Sequence, residues 1–143
     1  MKRILLALAV TAVLCVGFDR TNGPLALLDS PNVRTEAIAT AFRDRKSGMQ
    51  VRGEGVVVRI LADDTVGRRH QRFILSLPSG QTLLIAHNID RAPRIAALKR
   101  GDTVAFNGVY EWNSKGGVIH WTHHDPSGRH VPGWLKHGGR TYQ

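Results

Sequence analysis

The spacing of apolar residues changes near residue 50, from the period of a helix to the period of a strand. Before this point, apolar side chains recur at helical spacing, at Val33, Ala37, Ile38, Ala41 and Phe42. This spacing predicts an amphipathic helix over residues 32–48 that packs its apolar stripe against the rest of the domain. From Gln50 onward, apolar and polar residues alternate, and Val, Ile, Thr and aromatic residues become frequent, which predicts strands.

Five alternating segments predict five strands separated by turns rich in Gly, Pro, Asn and Asp. We place them at residues 51–61, 70–77, 81–87, 103–112 and 117–123, with a short helical connection at 93–98. This order is typical of the five-stranded Greek-key OB barrel. The predicted fold class is therefore mainly β, with one amphipathic helix, an OB-like barrel over 49–125 and an irregular C-terminal tail over 126–143 that packs on the barrel. A small open sheet or a six-stranded barrel is the alternative.

The turn between the fourth and fifth predicted strands sets their register. With the turn centred between Ser114 and Lys115, Ile119 lies opposite Tyr110, and Trp121 covers Gly108, a recurrent arrangement in barrels. In this register five residues share one face, which we interpret as the core of the barrel: Val104, Phe106, Tyr110, Ile119 and Trp121.

The N-terminus has the pattern of a secretory signal. Lys2 and Arg3 precede an apolar run over residues 4–16, which is short for a bilayer span. We predict a signal peptide over 1–17, a linker over 18–31, and a mature protein in the periplasm or the medium. An uncleaved membrane anchor is the alternative. Because the single cysteine is Cys15, the mature chain would contain neither a disulfide nor a reactive thiolate.

The chain is strongly basic. Twenty Lys and Arg against eleven Asp and Glu give a net charge of +9. Such an excess favours anionic partners, such as nucleic acid, a phosphate-rich surface or an acidic glycan. The basic residues come in pairs, at 68–69 and 99–100, rather than in one long tract. Scattered charge that keeps the protein soluble is therefore the alternative.

Histidines concentrate in three segments of the chain. Residues 120–126 (HWTHHDP) hold three imidazoles, an indole and a carboxylate, and two smaller groups lie at 70–72 (HQR) and 87–90 (HNID). In an OB barrel, the start of the second strand and the ends of the third and fifth strands reach the same rim. The turn at 78–80 also sets His70 opposite His87 or Asn88, at about 5 Å. We therefore expect the three segments to form one site.

The residue types at this rim predict candidate roles. Imidazole titrates near neutrality, and a carboxylate can orient it, so the candidate catalytic residues are His70, His87, His124 and Asp125. A divalent metal such as zinc takes three or four ligands, and three could come from His70, His87 and either His123 or His124. The candidate ligand-binding residues are Arg68, Arg69, Arg72, Asn88, Asp90, His120 and Thr122. For any one imidazole, a hydrogen-bonded rim position is the alternative, and Arg72 has the alternative of pairing with Glu54 or Asp102.

Four blocks of the sequence carry a family resemblance. They are residues 53–64 (GEGVVVRILADD), 70–74 (HQRFI), 86–90 (AHNID) and 116–126 (GGVIHWTHHDP). These blocks resemble an exported bacterial family catalogued as domain of unknown function 3465 (DUF3465), and the similarity runs from about residue 51 to residue 143. The resemblance implies a small exported bacterial protein. It implies no activity, because none is established for the family.

Two functions from different classes remain open. The first is an OB-type binding module for an anionic polymer such as nucleic acid, because OB folds bind oligonucleotides and oligosaccharides. The second is a metal-dependent or His-based phosphodiesterase or nuclease that acts at the same rim. We favour the binding module, because the sequence contains no recognised catalytic motif.

Overall fold

The chain folds into one helix followed by seven strands, as a computed structural model describes for residues 30–143. The elements, numbered in chain order, are α1 Pro31–Arg43, β1 Met49–Ile60, β2 His70–Ser76, β3 Thr82–Asn88, β4 Thr103–Glu111, β5 Val118–His120, β6 Trp134–His137 and β7 Arg140–Tyr142. The predicted signal peptide and almost all of the predicted linker lie outside the described residues.

Five strands close into a barrel. Their hydrogen-bonded order is β1-β2-β3-β5-β4, and β1 also pairs with β4. β3 and β5 run parallel, whereas the other pairings of the barrel are antiparallel. This is the strand order of the OB fold. The predicted OB-like barrel preceded by one helix is therefore confirmed.

The core of the barrel comes from alternate residues of each strand. In β2, β3 and β4 the side chains that point inward are buried, and those that point outward are partly or fully exposed, except for the buried Asn88 and Asn107. The two-residue period places every second side chain on the same face. The residues at the centre of the core are Phe73, Leu75, Leu83, Ile85, Val104, Phe106, Tyr110 and Ile119. Four of the five predicted core residues are among them.

The fifth, Trp121, lies outside the core, so its predicted position is wrong. β5 ends at His120, and Trp121 has a φ of 54°, in the left-handed region that turns the chain out of a strand. The residue is 37% exposed. Ile119 and Thr122 cover Gly108 instead, because a β-carbon added at Gly108 would lie 2.8 Å from Cγ2 of Ile119 and 3.0 Å from Cγ2 of Thr122.

α1 closes one side of the barrel. The hydroxyl of Ser30 accepts a hydrogen bond from the backbone N–H of Val33 at 3.4 Å, which caps the helix start. Ile38 and Ala41 are fully buried against the barrel. The helix ends at Arg43, earlier than the predicted end at residue 48, and Arg45 leaves the helical conformation with a φ of 52°. Among residues 30–143, no helix combines the length and hydrophobicity needed to cross a bilayer.

The connection between β3 and β4 consists of turns, so the helix predicted at 93–98 is wrong. Its backbone is held by a side chain instead. Gln71 donates from Nε2 to the carbonyl oxygen of Ile95 at 2.9 Å, and its Oε1 accepts from the N–H of Ile95 at 2.9 Å. These two bonds satisfy a buried backbone position without helical hydrogen bonds.

The tail over 126–143 contains a hairpin where the sequence predicted an irregular segment. Gly138 and Gly139, with φ of 54° and 76°, form the turn between β6 and β7, as two-residue hairpin turns require. β6 pairs with β4 at Ala105, Phe106 and Asn107. Because β5 is only three residues long, it leaves this stretch of β4 unpaired, and β6 completes its hydrogen bonds.

Candidate functional site

The three histidine-rich segments meet at one rim of the barrel. β2 begins at His70, β3 ends at Asn88 and β5 ends at His120, and His70 pairs directly with Asn88. These ends surround a cavity of about 170 Å³, which we call the rim cavity; it is lined by Arg68, His70, Asn88, His120, Trp121 and His123. The structure therefore brings five of the predicted site residues to one cavity, together with Trp121, which the sequence predicts in the core.

Imidazoles surround Trp121 at the rim cavity. The ring centroids of His130, His123 and His120 lie 4.1, 5.4 and 6.0 Å from that of Trp121. The ring of His130 meets the indole edge-on, a favourable arrangement for aromatic groups. These contacts hold the indole in place while it remains 37% exposed. An exposed and rigidly held indole is suited to stack on a planar or apolar ligand.

His123 faces the rim cavity as a neutral imidazole. Its Nδ1 donates to the carbonyl oxygen of His124 at 2.8 Å, so in the neutral ring Nε2 is an acceptor. Burial lowers the pKa of His123 below its usual value. The side chain of His124 is exposed and does not line the cavity.

His87 lies behind the cavity with Thr122. Its Nδ1 is 2.8 Å from Oγ1 of Thr122, and its Nε2 is 3.1 Å from the carbonyl oxygen of Pro93. Because a carbonyl oxygen can only accept, Nε2 carries the proton and Nδ1 accepts from the Thr122 hydroxyl. Burial lowers the pKa of His87 to about 4. The ring is therefore neutral at pH 7, with both nitrogens engaged.

The three imidazoles predicted to bind zinc are held in different ways. Within residues 30–143, no group of three or more His, Cys, Asp or Glu side chains could hold a metal ion. His70 and His123 line the rim cavity, but the ring nitrogens of His87 are both occupied.

Asp125 organises the loop after β5. Its Oδ1 accepts from the hydroxyl of Ser127 at 2.6 Å, and its Oδ2 accepts from the backbone N–H groups of Arg129 and His130 at 2.7 and 3.2 Å. The hydrogen bond from the Ser127 hydroxyl is the main reason that the pKa of Asp125 lies well below its usual value. This loop sets His130 against Trp121. Of the four predicted catalytic residues, only His70 lines the cavity.

Arg69 and Asp90 tie the loop after β1 to the end of β3. Nε of Arg69 donates to Oδ1 of Asp90 at 2.7 Å, and the backbone N–H of Arg69 donates to Oδ2, also at 2.7 Å. These bonds, the backbone one foremost, lower the pKa of Asp90. Asn88 supports the same corner, because its Oδ1 accepts from the N–H of Asp90 at 3.0 Å. The pair fixes the shape of the rim.

Two arginines on the outward side of the barrel have no carboxylate partner within residues 30–143. Arg68 is exposed at the cavity. Arg72 pairs with neither Glu54 nor Asp102; its Nε donates to the carbonyl oxygen of Ala62 at 3.0 Å. No Asp or Glu is among the residues that line the rim cavity. The carboxylates near it are already engaged: Oε1 of Glu111 lies 3.4 Å from Nε2 of His120, Asp90 pairs with Arg69, and Asp125 accepts hydrogen bonds from its own loop. The cavity is therefore electrostatically suited to an anion.

Two residues of this site were missed by reading the sequence. Strand alternation predicts that Trp121 points into the core, and nothing in the sequence marks a tryptophan with left-handed φ. The sequence predicts His130 in an irregular tail. The available signal was the Asp-Pro-Ser-Gly run at 125–128, which is typical of a turn stabilised by an aspartate side chain.

The sequence was also compared with known proteins. The profile of a family described as protein of unknown function (DUF3465) matches residues 24–143. No curated protein matches the chain.

Proposed function

Because the chain belongs to the DUF3465 family, whose description carries no activity, we propose a function from the geometry of the rim cavity: the protein is an OB-type binding module for an anionic polymer. One observation carries the proposal. A single cavity combines an exposed indole, an arginine and three imidazoles, and none of its lining residues has a carboxylate.

Each group in the cavity has a role in binding. The Trp121 indole provides a surface for stacking, which contributes about 1–3 kcal/mol per base in proteins that bind single strands. Arg68 supplies a planar fork of N–H donors that matches the oxygens of a phosphate or carboxylate. His70, His120 and Asn88 add polar groups at the cavity wall. The ligand would thus have both an anionic group and a flat surface.

The hydrogen bonds around the rim favour binding over catalysis. The ring nitrogens of His87 are both engaged, and both carboxylate oxygens of Asp125 accept backbone or hydroxyl hydrogen bonds. Neither group is available for proton transfer in this arrangement.

A His-based phosphodiesterase is the second candidate. His70 and His120 line the same cavity beside Arg68, and two imidazoles can serve as the acid and the base of a phosphodiester cleavage. If the protein is such a phosphodiesterase, a bound oligonucleotide is cut, and His70→Ala abolishes the cutting while leaving binding largely intact. Gel analysis of the oligonucleotide recovered from binding reactions distinguishes this candidate.

Fluorescence anisotropy tests the binding module. The full-length protein is titrated at low salt into a labelled single-stranded oligonucleotide and into a labelled acidic polysaccharide. We expect salt-sensitive binding of at least one polymer, and Trp121→Ala should weaken it by about tenfold or more. Trp134→Ala, on β6, is the matched control, because Trp134 is not among the residues that line the cavity; this variant should bind like the wild type. No binding of either polymer, or equal binding by Trp121→Ala, would overturn the proposal.

A further inference from the structure

A second cavity opens on the outward side of the same barrel strands. Its volume is about 290 Å³, and we call it the apolar cavity, because its floor is formed by Leu61, Ile74 and Leu84. Arg59 and Lys115 lie at its edges with Asn113, and none of its lining residues is acidic. It therefore combines an apolar surface with positive charge, as the rim cavity does.

The two cavities lie on one continuous face of the sheet. Ile74 pairs with Leu84 in the apolar cavity, and His70 pairs with Asn88 in the rim cavity. Residues an even number of positions apart in a strand point to the same side. Leu84 and Asn88 are four positions apart on β3, so the cavities are separated by about 13 Å along the strand.

Arg72 occupies the middle of this face. It pairs with Ala86, halfway between the two cross-strand pairs that mark the cavities. Its Nε is held by the carbonyl oxygen of Ala62 at 3.0 Å, which fixes the plane of the guanidinium. Within residues 30–143 no carboxylate is paired with it, so its terminal N–H groups are suited to a phosphate.

We propose that a single-stranded nucleic acid crosses this face, with one base on Trp121 in the rim cavity, another base in the apolar cavity and the intervening phosphates at Arg72. This inference rests on the proposed function and names the polymer. Each repeating unit of a nucleic acid carries a planar base and an anion, and the face offers apolar surface and cations in the same alternation. An acidic polysaccharide carries the anions but no planar group to fill the pocket above Ile74 and Leu84.

Oligonucleotides of two lengths distinguish binding at the rim cavity alone from binding across both cavities. An oligothymidine of about 2 nucleotides can fill the rim cavity alone, whereas one of about 12 nucleotides spans both, since OB folds bind about 4–16 nucleotides. We expect Trp121→Ala to weaken both ligands. Lys115→Ala and Arg59→Ala should each weaken the long ligand by about fivefold at 0.1 M salt, as expected for one lost phosphate contact, and leave the short ligand unchanged.

Arg140→Ala is the matched control, because it removes the same charge from exposed β7, on the far side of β4 and β6 from the cavities. Thermal unfolding of each variant checks that it is folded. The inference is overturned if the long ligand binds Lys115→Ala and Arg59→Ala as tightly as the wild type. It is also overturned if only the acidic polysaccharide binds, an outcome that leaves the proposed function standing. If neither polymer binds, both proposals fail.

Discussion

A fully buried imidazole makes His87 a source of acid sensitivity in this protein. Its usual pKa of 6.5 falls to about 4 in the folded state, mainly through burial. The unfolded chain therefore binds the proton more readily than the folded chain between these two values. The free energy of unfolding should fall as the pH is lowered through this window, by up to about 3 kcal/mol.

Urea unfolding between about pH 7.5 and pH 4.5 measures this effect. His87→Gln should lose less stability across the window than the wild type, although it starts from a lower value. His124→Gln, which changes an exposed imidazole, should keep the wild-type dependence. The lowered pKa of His123 makes the stability fall with pH in the same direction. The pKa values of Asp90, Asp102 and Asp125 are also lowered, but the stability that these carboxylates provide is lost mainly below their usual pKa of 3.8. Parallel curves for the wild type and His87→Gln would contradict the assignment.

The site residues show how far the sequence could predict chemistry. Their convergence at one rim could be predicted from the strand order, because the OB topology fixes the directions in which β2, β3 and β5 run. The roles of His87 and Asp125 could not be predicted from the strand order, because these roles depend on which groups form hydrogen bonds with the two side chains. His87 is neutral because it is buried between Thr122 and the carbonyl of Pro93, and no spacing in the sequence encodes that pair of contacts.

Among the elements, β6 stabilises the barrel by completing β4. Leu135 from β6 is fully buried in the core, and removing a buried leucine costs about 2–5 kcal/mol through lost apolar contact and the cavity left behind. We expect Leu135→Ala to lower the free energy of unfolding by this amount. The control is Thr141→Ala on exposed β7, which should change it by less than about 0.5 kcal/mol. Equal urea midpoints for the two variants would show that the hairpin is peripheral to stability.

The same elements mark where sequence reading succeeded and where it failed. The turn at 113–116 gave the correct register, with Ile119 opposite Tyr110, because a short turn fixes which residues face each other. β6 and β7 were missed although Gly138 and Gly139 formed a hairpin signal between aromatic residues. The helix predicted at 93–98 failed because Gln71, distant in sequence, satisfies the backbone there.

For the whole molecule, the net charge of +9 should appear in the salt dependence of binding. Four cations lie on the outward face: Arg59, Arg68, Arg72 and Lys115. Each phosphate neutralised on a single strand contributes about −0.7 to the slope of log K against log salt. We expect a slope of about −3 for a long oligonucleotide, reduced by about 0.7 in Arg68→Ala and unchanged in Arg140→Ala. A slope that Arg140→Ala reduces equally would point to charge spread over the whole surface.

The left-handed backbone of Trp121 has a consequence for how this protein can be altered. A non-glycine residue in that conformation costs about 1–2 kcal/mol. The indole of Trp121 stays 37% exposed, whereas a longer β5 would have pointed it into the core of the barrel. The molecule thus gives up stability at the position where the proposed ligand would stack. Selection for thermal resistance alone would be expected to replace this residue early, so variants obtained that way would become sturdier while losing the surface that binds.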